Sequence, residues 1–208
     1  MKPATIFWDR IAPKYAAKPV SNITAYEATL TRTRSYLNAQ DHVLEIGCGT
    51  GSTAIRLAPA VMHYTATDIS SQMLGIAENK LNSDAPRNIS FLQVPVMKPL
   101  ASAPFDAICA FSILHLLDDL PAVIDHLKAQ VKPGGYVISK TACLGDMNRL
   151  ILPVIRVMQW FGKAPYVNVF SAQELEEAFA KAGFEITETN NVGVKNGPHF
   201  IVARRPTE

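Results

Sequence analysis

Apolar and polar positions switch repeatedly between two periods from Asp41 onward. Val43–Gly47 is a short apolar run followed at once by glycines, the mark of a buried strand. Ser52–Ala60 reads as helix, His63–Asp68 is β-rich and ends on an acid, and Ser71–Leu81 carries Met73, Leu74, Ala77 and Leu81 at helical spacing. Ile89–Val94 and Phe105–Phe111 are further strands. Val123, Ile124, Leu127 and Val131 share a face of the next helix, with Asp119 as cap, Pro121 in its first turn and Lys132–Gly135 (KPGG) as its expected stop. Tyr136–Thr141 is again strand-like. Ser171 and Glu174 have capping-box spacing ahead of Leu175, Ala178, Phe179 and Ala182, and Gly183 ends that helix. Phe184–Thr189 and His199–Arg204 form a last strand pair around Asn196-Gly197-Pro198.

Strands alternating with helices predict an α/β fold with a parallel sheet covered on both faces. No helix separates the last two strands, so at least one should run antiparallel. Residues 1–40 differ: Ile23, Tyr26, Leu30 and Leu37 predict one helix, behind an irregular FWDRIAPKYA segment. The expected organisation is a single domain, with a cap (1–40), a core (41–142), an insertion (143–169) and a closing helix and strand pair (170–208).

Length and composition narrow the class. At 208 residues, with 48% hydrophobic and 18% charged, the chain suits one domain with a proper core. A net charge of +2 speaks against a dedicated nucleic-acid binder. Cys48, Cys109 and Cys143 lack metal-like spacing and fit a reducing, cytoplasmic setting. MKPATIFWDR has no signal-peptide character, and Arg156 interrupts the apolar LILPVIRVMQWF, so no stable membrane insertion is expected.

Three glycines within VLEIGCGTG (Val43–Gly51) ask what approaches the backbone so closely. In parallel α/β sheets, ligands bind beyond the carboxyl ends of the strands. The pattern is GxGxG, not the GxGxxG that cradles a pyrophosphate. Asp68 ends the second strand, where a carboxylate can accept both ribose hydroxyls. A nucleoside fits better than a dinucleotide, and a nicotinamide-dependent oxidoreductase is disfavoured.

These residues resemble the class I S-adenosylmethionine-dependent methyltransferases. VLEIGCGTG, TATDIS, FDAICAFSILHLL and VKPGGYVI carry the resemblance in order over roughly residues 41–205, and FWDRIAPKYA is similar to the cap of the quinone-methylating group. The resemblance implies a Rossmann-like seven-stranded sheet of order 3-2-1-4-5-7-6 with strand 7 antiparallel. It implies S-adenosyl-L-methionine as cofactor and S-adenosyl-L-homocysteine as product. Glu45, Gly47, Cys48, Gly49 and Gly51 would surround the methionine part, Asp68 the ribose, Ile69 and Met73 the adenine, and Ser112 would lie below the sulfonium. LQVPVMKPL lacks the acid that relatives use for the adenine amine, which leaves the backbone around Val96 and Met97.

Other residues keep two readings. His115 is a general base or a packed histidine. Tyr15 closes over the cofactor, with a catalytic part in reserve, or only packs. Cys48 is a small loop residue rather than a nucleophile, and capping explains Asp118 and Asp119 better than a metal, so no metal is expected. Base-amine, arginine and pyrimidine-C5 methylation motifs are missing, which leaves a small, lipophilic acceptor (thiol, phenol, quinol or activated carbon) and no nucleic acid. A sensor that binds the cofactor without turnover is the alternative. Leu150, Ile151, Val154, Ile155, Val157, Met158 and Phe161 spread over one helical face, with Arg149, Arg156 and Lys163 on the other. That helix packs on the core, or forms a lid with Met158, Trp160 and Tyr166 at the acceptor, or touches an anionic membrane peripherally. Oligomeric state is not legible.

Overall fold

The computed structural model describes residues 4–81, 85–147, 151–190 and 197–207. Its centre is β1 (His42–Ile46), buried along Val43–Ile46 because both faces are covered. β1 pairs in parallel with β2 (His63–Asp68) on one side and β4 (Phe105–Phe111) on the other. β3 (Ile89–Gln93) extends the sheet beyond β2, and β5 (Val131–Thr141) extends it beyond β4, both in parallel. β7 (His199–Arg204) runs antiparallel to β5 and to the edge strand β6 (Glu185–Asn190). The order is β3-β2-β1-β4-β5-β7-β6, as the sequence resemblance implies.

The two-residue period splits the core. Leu44, Ile46, Ile108 and Ala110 face α5 (Leu120–Gln130) and α7 (Ala172–Lys181), meeting Ile124, Leu127, Leu175 and Phe179. Val43, Ala107 and Cys109 face the other way, towards Leu30 of α2 (Ile23–Arg34) and Leu57 of α3 (Ser52–Leu57). Each fully buried aliphatic side chain contributes about 1.5–3 kcal/mol. The capping box of α7 is present, with Ser171 and Glu174 bonding reciprocally.

Several expectations change. FWDRIAPKYA is not irregular: it lies within α1 (Ala4–Ala16), with Pro13 in the last turn. There its missing N–H removes one bond without stopping the helix. α2 ends at Arg34, short of Leu37. α4 (Ser71–Glu78) stops short of Leu81, and Ala58–Ala60 tightens into a 3-10 turn. KPGG does not cap α5, because Val131 is already extended and pairs with Phe105. Gly134, at φ +79°, instead bends β5 and donates its N–H to the Arg205 carbonyl (2.8 Å). The insertion holds α6 (Ile151–Trp160), whose described side chains contribute nothing buried to either core cluster. Arg149, Leu150 and Asn196 lie outside the described residues.

Candidate functional site

β1 delivers the chain into Gly47, Gly49 and Gly51, all at positive φ (+64°, +55°, +71°). Only one of them faces free space. A Cβ on Gly47 would lie 2.7 Å from the Ile113 side chain, and one on Gly51 would lie 2.7 Å from Ala77 Cβ and 2.8 Å from the Phe91 ring. These two glycines serve packing. At Gly49 the nearest atom is Tyr15 Cε1, 3.9 Å away, so its bare face opens under the Tyr15 ring.

Asp68 holds this cradle. Its Oδ2 accepts the Gly49 N–H at 2.8 Å and its Oδ1 the Ser70 N–H at 2.9 Å, while the Cys48 N–H donates to the Thr67 carbonyl at 2.9 Å. Burial raises the Asp68 pKa, opposed by the backbone N–H groups and reinforced by nearby Asp9. The helix N-cap is not Asp68 but Ser70, whose Oγ accepts from the Met73 N–H (3.1 Å). Ser70 Oγ in turn donates to Asp9 Oδ1 at 2.6 Å, and the Gln72 N–H reaches the same oxygen at 3.2 Å. Asp9 thereby docks α1 on the start of α4 and sets Tyr15 over the loop. Lys80 Nζ secures the far side by donating to the Thr50 carbonyl (2.7 Å), Thr50 Oγ1 (2.9 Å) and Ser52 Oγ (2.8 Å). Sequence reasoning missed Asp9 and Lys80, whose partners lie far away in the chain.

Tyr15 is half-exposed, and burial followed by the Asp68 charge raises its pKa. It is therefore a neutral phenol, suited to donate a hydrogen bond and unsuited to be a base at neutral pH. Glu45 is held inside the sheet: its Oε2 accepts from Tyr64 OH at 2.8 Å, and burial lifts its pKa to about 7. Burial, then Glu45 and Asp68, push the Cys48 thiol well up, so it stays protonated.

Ile69 is half-buried and accepts the Gln93 side-chain amide through its carbonyl (3.1 Å). Met73 is buried beneath α4, Val96 packs against the core, and Met97 is half-exposed. Ser112 takes φ +56°, the one non-glycine there among the described residues, with its N–H on the Lys140 carbonyl at 2.7 Å. Holding a side chain in that region costs about 1–2 kcal/mol, and such strain concentrates at functional sites. His115 follows on a 3-10 turn, Nδ1 paired with Thr141 Oγ1 at 2.9 Å, its pKa lowered by burial. Asn168, also missed, fastens the Tyr166 segment here, donating its N–H to the His115 carbonyl (2.7 Å) and its amide to the Leu117 and Asp118 carbonyls. Met158 lines a groove of about 630 Å³ between α1 and α6, whereas Trp160 points to solvent. Among the described residues, no three ligating side chains gather to hold a metal.

A Gly49 face that a Cβ would fill, beside a carboxylate at a strand end, fits a nucleoside-bearing ligand. The comparisons agree in fold and family. Residues 20–189 match a methyltransferase domain family. The chain is 32% identical over 150 residues to malonyl-[acyl-carrier protein] O-methyltransferase of Paenibacillus sp. (strain JDR-2), covering 68% of this chain and 54% of that enzyme. The chain thus spans about half of that relative, and 6% or less of the large synthases it also matches. The DhpI complex with SAH superposes with a TM-score of 0.77 at 21% identity, over 99% of this chain and 96% of that one. The N-methyltransferase NodS from Bradyrhizobium japonicum WM9 gives 0.69 at 18% identity, over 96% and 98%. The chain therefore belongs to the methyltransferase domain family, within the class I S-adenosylmethionine-dependent methyltransferases.

Proposed function

We propose that this protein transfers a methyl group from S-adenosylmethionine to a small lipophilic acceptor. The observation that carries the reading is the open face of Gly49, bonded from below by Asp68 and overhung by Tyr15. Asp68 has lone pairs left for ribose hydroxyls, and the neutral Tyr15 phenol can donate to the amino-acid carboxylate. Ile69 and the backbone at Val96 and Met97 would border the adenine, and Ser112 the reacting end. Met73 and Glu45 would support this site from beneath rather than touch the ligand.

When bound, the cofactor supplies a methyl group already activated on a sulfonium. The protein then has to align the acceptor and exclude water, which accounts for about 7–11 kcal/mol of barrier reduction when geometry is good. A thiolate or stabilised carbanion needs little more. For an alcohol or phenol, the uncharged His115 imidazole offers a base, with Nδ1 held by Thr141. An oxygen acceptor is also in keeping with the malonyl-[acyl-carrier protein] O-methyltransferase among the relatives.

Calorimetric titration with S-adenosylmethionine, S-adenosylhomocysteine and NAD, followed by turnover against thiols, phenols and quinols, tests the proposal. Binding of the first two but not NAD, with methylated product, is expected. Binding without turnover of any acceptor would favour the sensor reading.

A further inference from the structure

The outer surface of α1 and α6 combines two properties that rarely coexist on a chain meant for water alone. Trp160 is 84% exposed and Phe161 64%, and Val154 and Val157 on α6 and Ile6 on α1 are more than half exposed. Exposed apolar patches of this kind mark contact surfaces. Around them stand Arg10, Lys14, Arg156 and Lys163, none of which forms an ion pair among the described residues. Residues 151–163 contain no acid. The single acid of α1, Asp9, is turned inward to Ser70 and Gln72. Arg10 donates to the Gly162 carbonyl, which joins the two helices into one surface. A chain of net charge +2 thus gathers around this apolar patch four cations that have no ion-pair partner among the described residues.

We propose that this face docks on an anionic lipid bilayer. A Trp/Phe-bearing apolar stripe flanked by Arg and Lys is what an interfacial helix needs, with rings at the headgroup level and cations on lipid phosphates. No described helix is long and apolar enough to cross a membrane, so the contact is peripheral. The obvious competitor, a second copy of this chain, is disfavoured by charge. A two-fold interface sets a patch against itself, cation against cation. The groove between α1 and α6, lined by Phe7, Ile11, Met158 and Phe161, opens on the same surface and would receive a lipophilic molecule from the bilayer. The docking does not depend on which acceptor is methylated.

The test is sedimentation of the full chain with vesicles of phosphatidylcholine alone or mixed with phosphatidylglycerol. Binding to the mixed vesicles only, weakening with salt, is expected. In a Trp8→Phe background, which leaves Trp160 as the sole tryptophan, emission should shift to the blue on adding mixed vesicles. Each basic residue near an anionic surface is worth about fivefold in partition, so Arg156→Glu with Lys163→Glu should lower binding at least about twentyfold. Trp160→Ala should also weaken it, while S-adenosylmethionine titration without vesicles stays unchanged and reports separately on the proposed activity. No binding to mixed vesicles, or binding indifferent to the charge reversals, overturns the proposal. So does a dimer in solution that Trp160→Ala dissociates, since a second copy would then cover this face.

Discussion

Asp68 Oδ2 accepts the backbone N–H of Gly49 at 2.8 Å, across 19 residues of sequence. The carboxylate proposed for the ribose is thus also the strut of the loop on which the ligand would rest. Asp68→Ala should weaken S-adenosylmethionine binding by about 1.5–3 kcal/mol, the scale of a lost charge-assisted hydrogen bond. It should also destabilise the protein, because the Gly49 and Ser70 N–H groups lose their acceptor. A loss of about 2 kcal/mol lowers Tm by about 4–8 °C in a chain of this size. Calorimetry and a thermal melt read the two effects separately, and unchanged affinity would remove Asp68 from the ribose role.

The three loop glycines should separate by phenotype. Gly49→Val has room for its Cβ and should lose the least stability of the three, with at least about 1–2 kcal/mol of backbone strain, but bind S-adenosylmethionine poorly. Gly47→Val and Gly51→Val drive a Cβ into Ile113 or into Ala77 and Phe91, and should lose far more stability. Melting curves with ligand titration decide the matter: normal binding by Gly49→Val would mean that its open face is not the ligand's.

The difference between these glycines was not legible in GxGxG, where all three look alike. Whether a glycine meets a ligand or a neighbouring helix depends on Ile113 and Phe91, which the fold brings in from elsewhere. The sheet was legible because β1 and β4 read as apolar runs, and β2 as a β-rich run ending on an acid, between helical periods. α1 was not, since Pro13 interrupts its pattern and Asp9 has its partner 61 residues away. KPGG misled because a left-handed glycine serves a helix end and a strand bend equally well. At Glu45, the resemblance implies a place around the methionine part of the cofactor, whereas its partner Tyr64 is visible only once β1 and β2 are in register.

Glu45 gives a pH prediction. Its pKa rises from the ordinary 4.5 to about 7 because burial opposes the charged form. The native state therefore holds its proton more tightly than the unfolded chain does. The corresponding stability is present below about pH 4.5 and is lost as pH climbs to about 7, a change on the order of 3 kcal/mol. Glu45→Gln keeps an acceptor for Tyr64 and removes the titration. Its Tm should equal or exceed that of the parent above pH 7, with a flatter profile between pH 4.5 and 7. Parallel profiles for the two proteins would show that Glu45 is ionised without cost.

The groove between α1 and α6 bears on the acceptor. Met158 lines it, while Trp160 on the same helix faces solvent. If acceptors enter there, Met158→Ala should raise KM for large apolar acceptors more than for small ones, since a desolvated aliphatic contact is worth on the order of 1.5–3 kcal/mol. Trp160→Ala should leave KM for water-soluble acceptors unchanged. Neither substitution should alter stability by more than about 0.5 kcal/mol, because Met158 and Trp160 are exposed and belong to neither core cluster. Cofactor affinity should hold as well, with Asp68 and the glycine loop untouched. Steady-state kinetics over a homologous series of acceptors supplies the comparison. Equal losses of acceptor and cofactor binding in Met158→Ala would instead mean that α6 braces the domain through α1, and the acceptor would have to enter elsewhere.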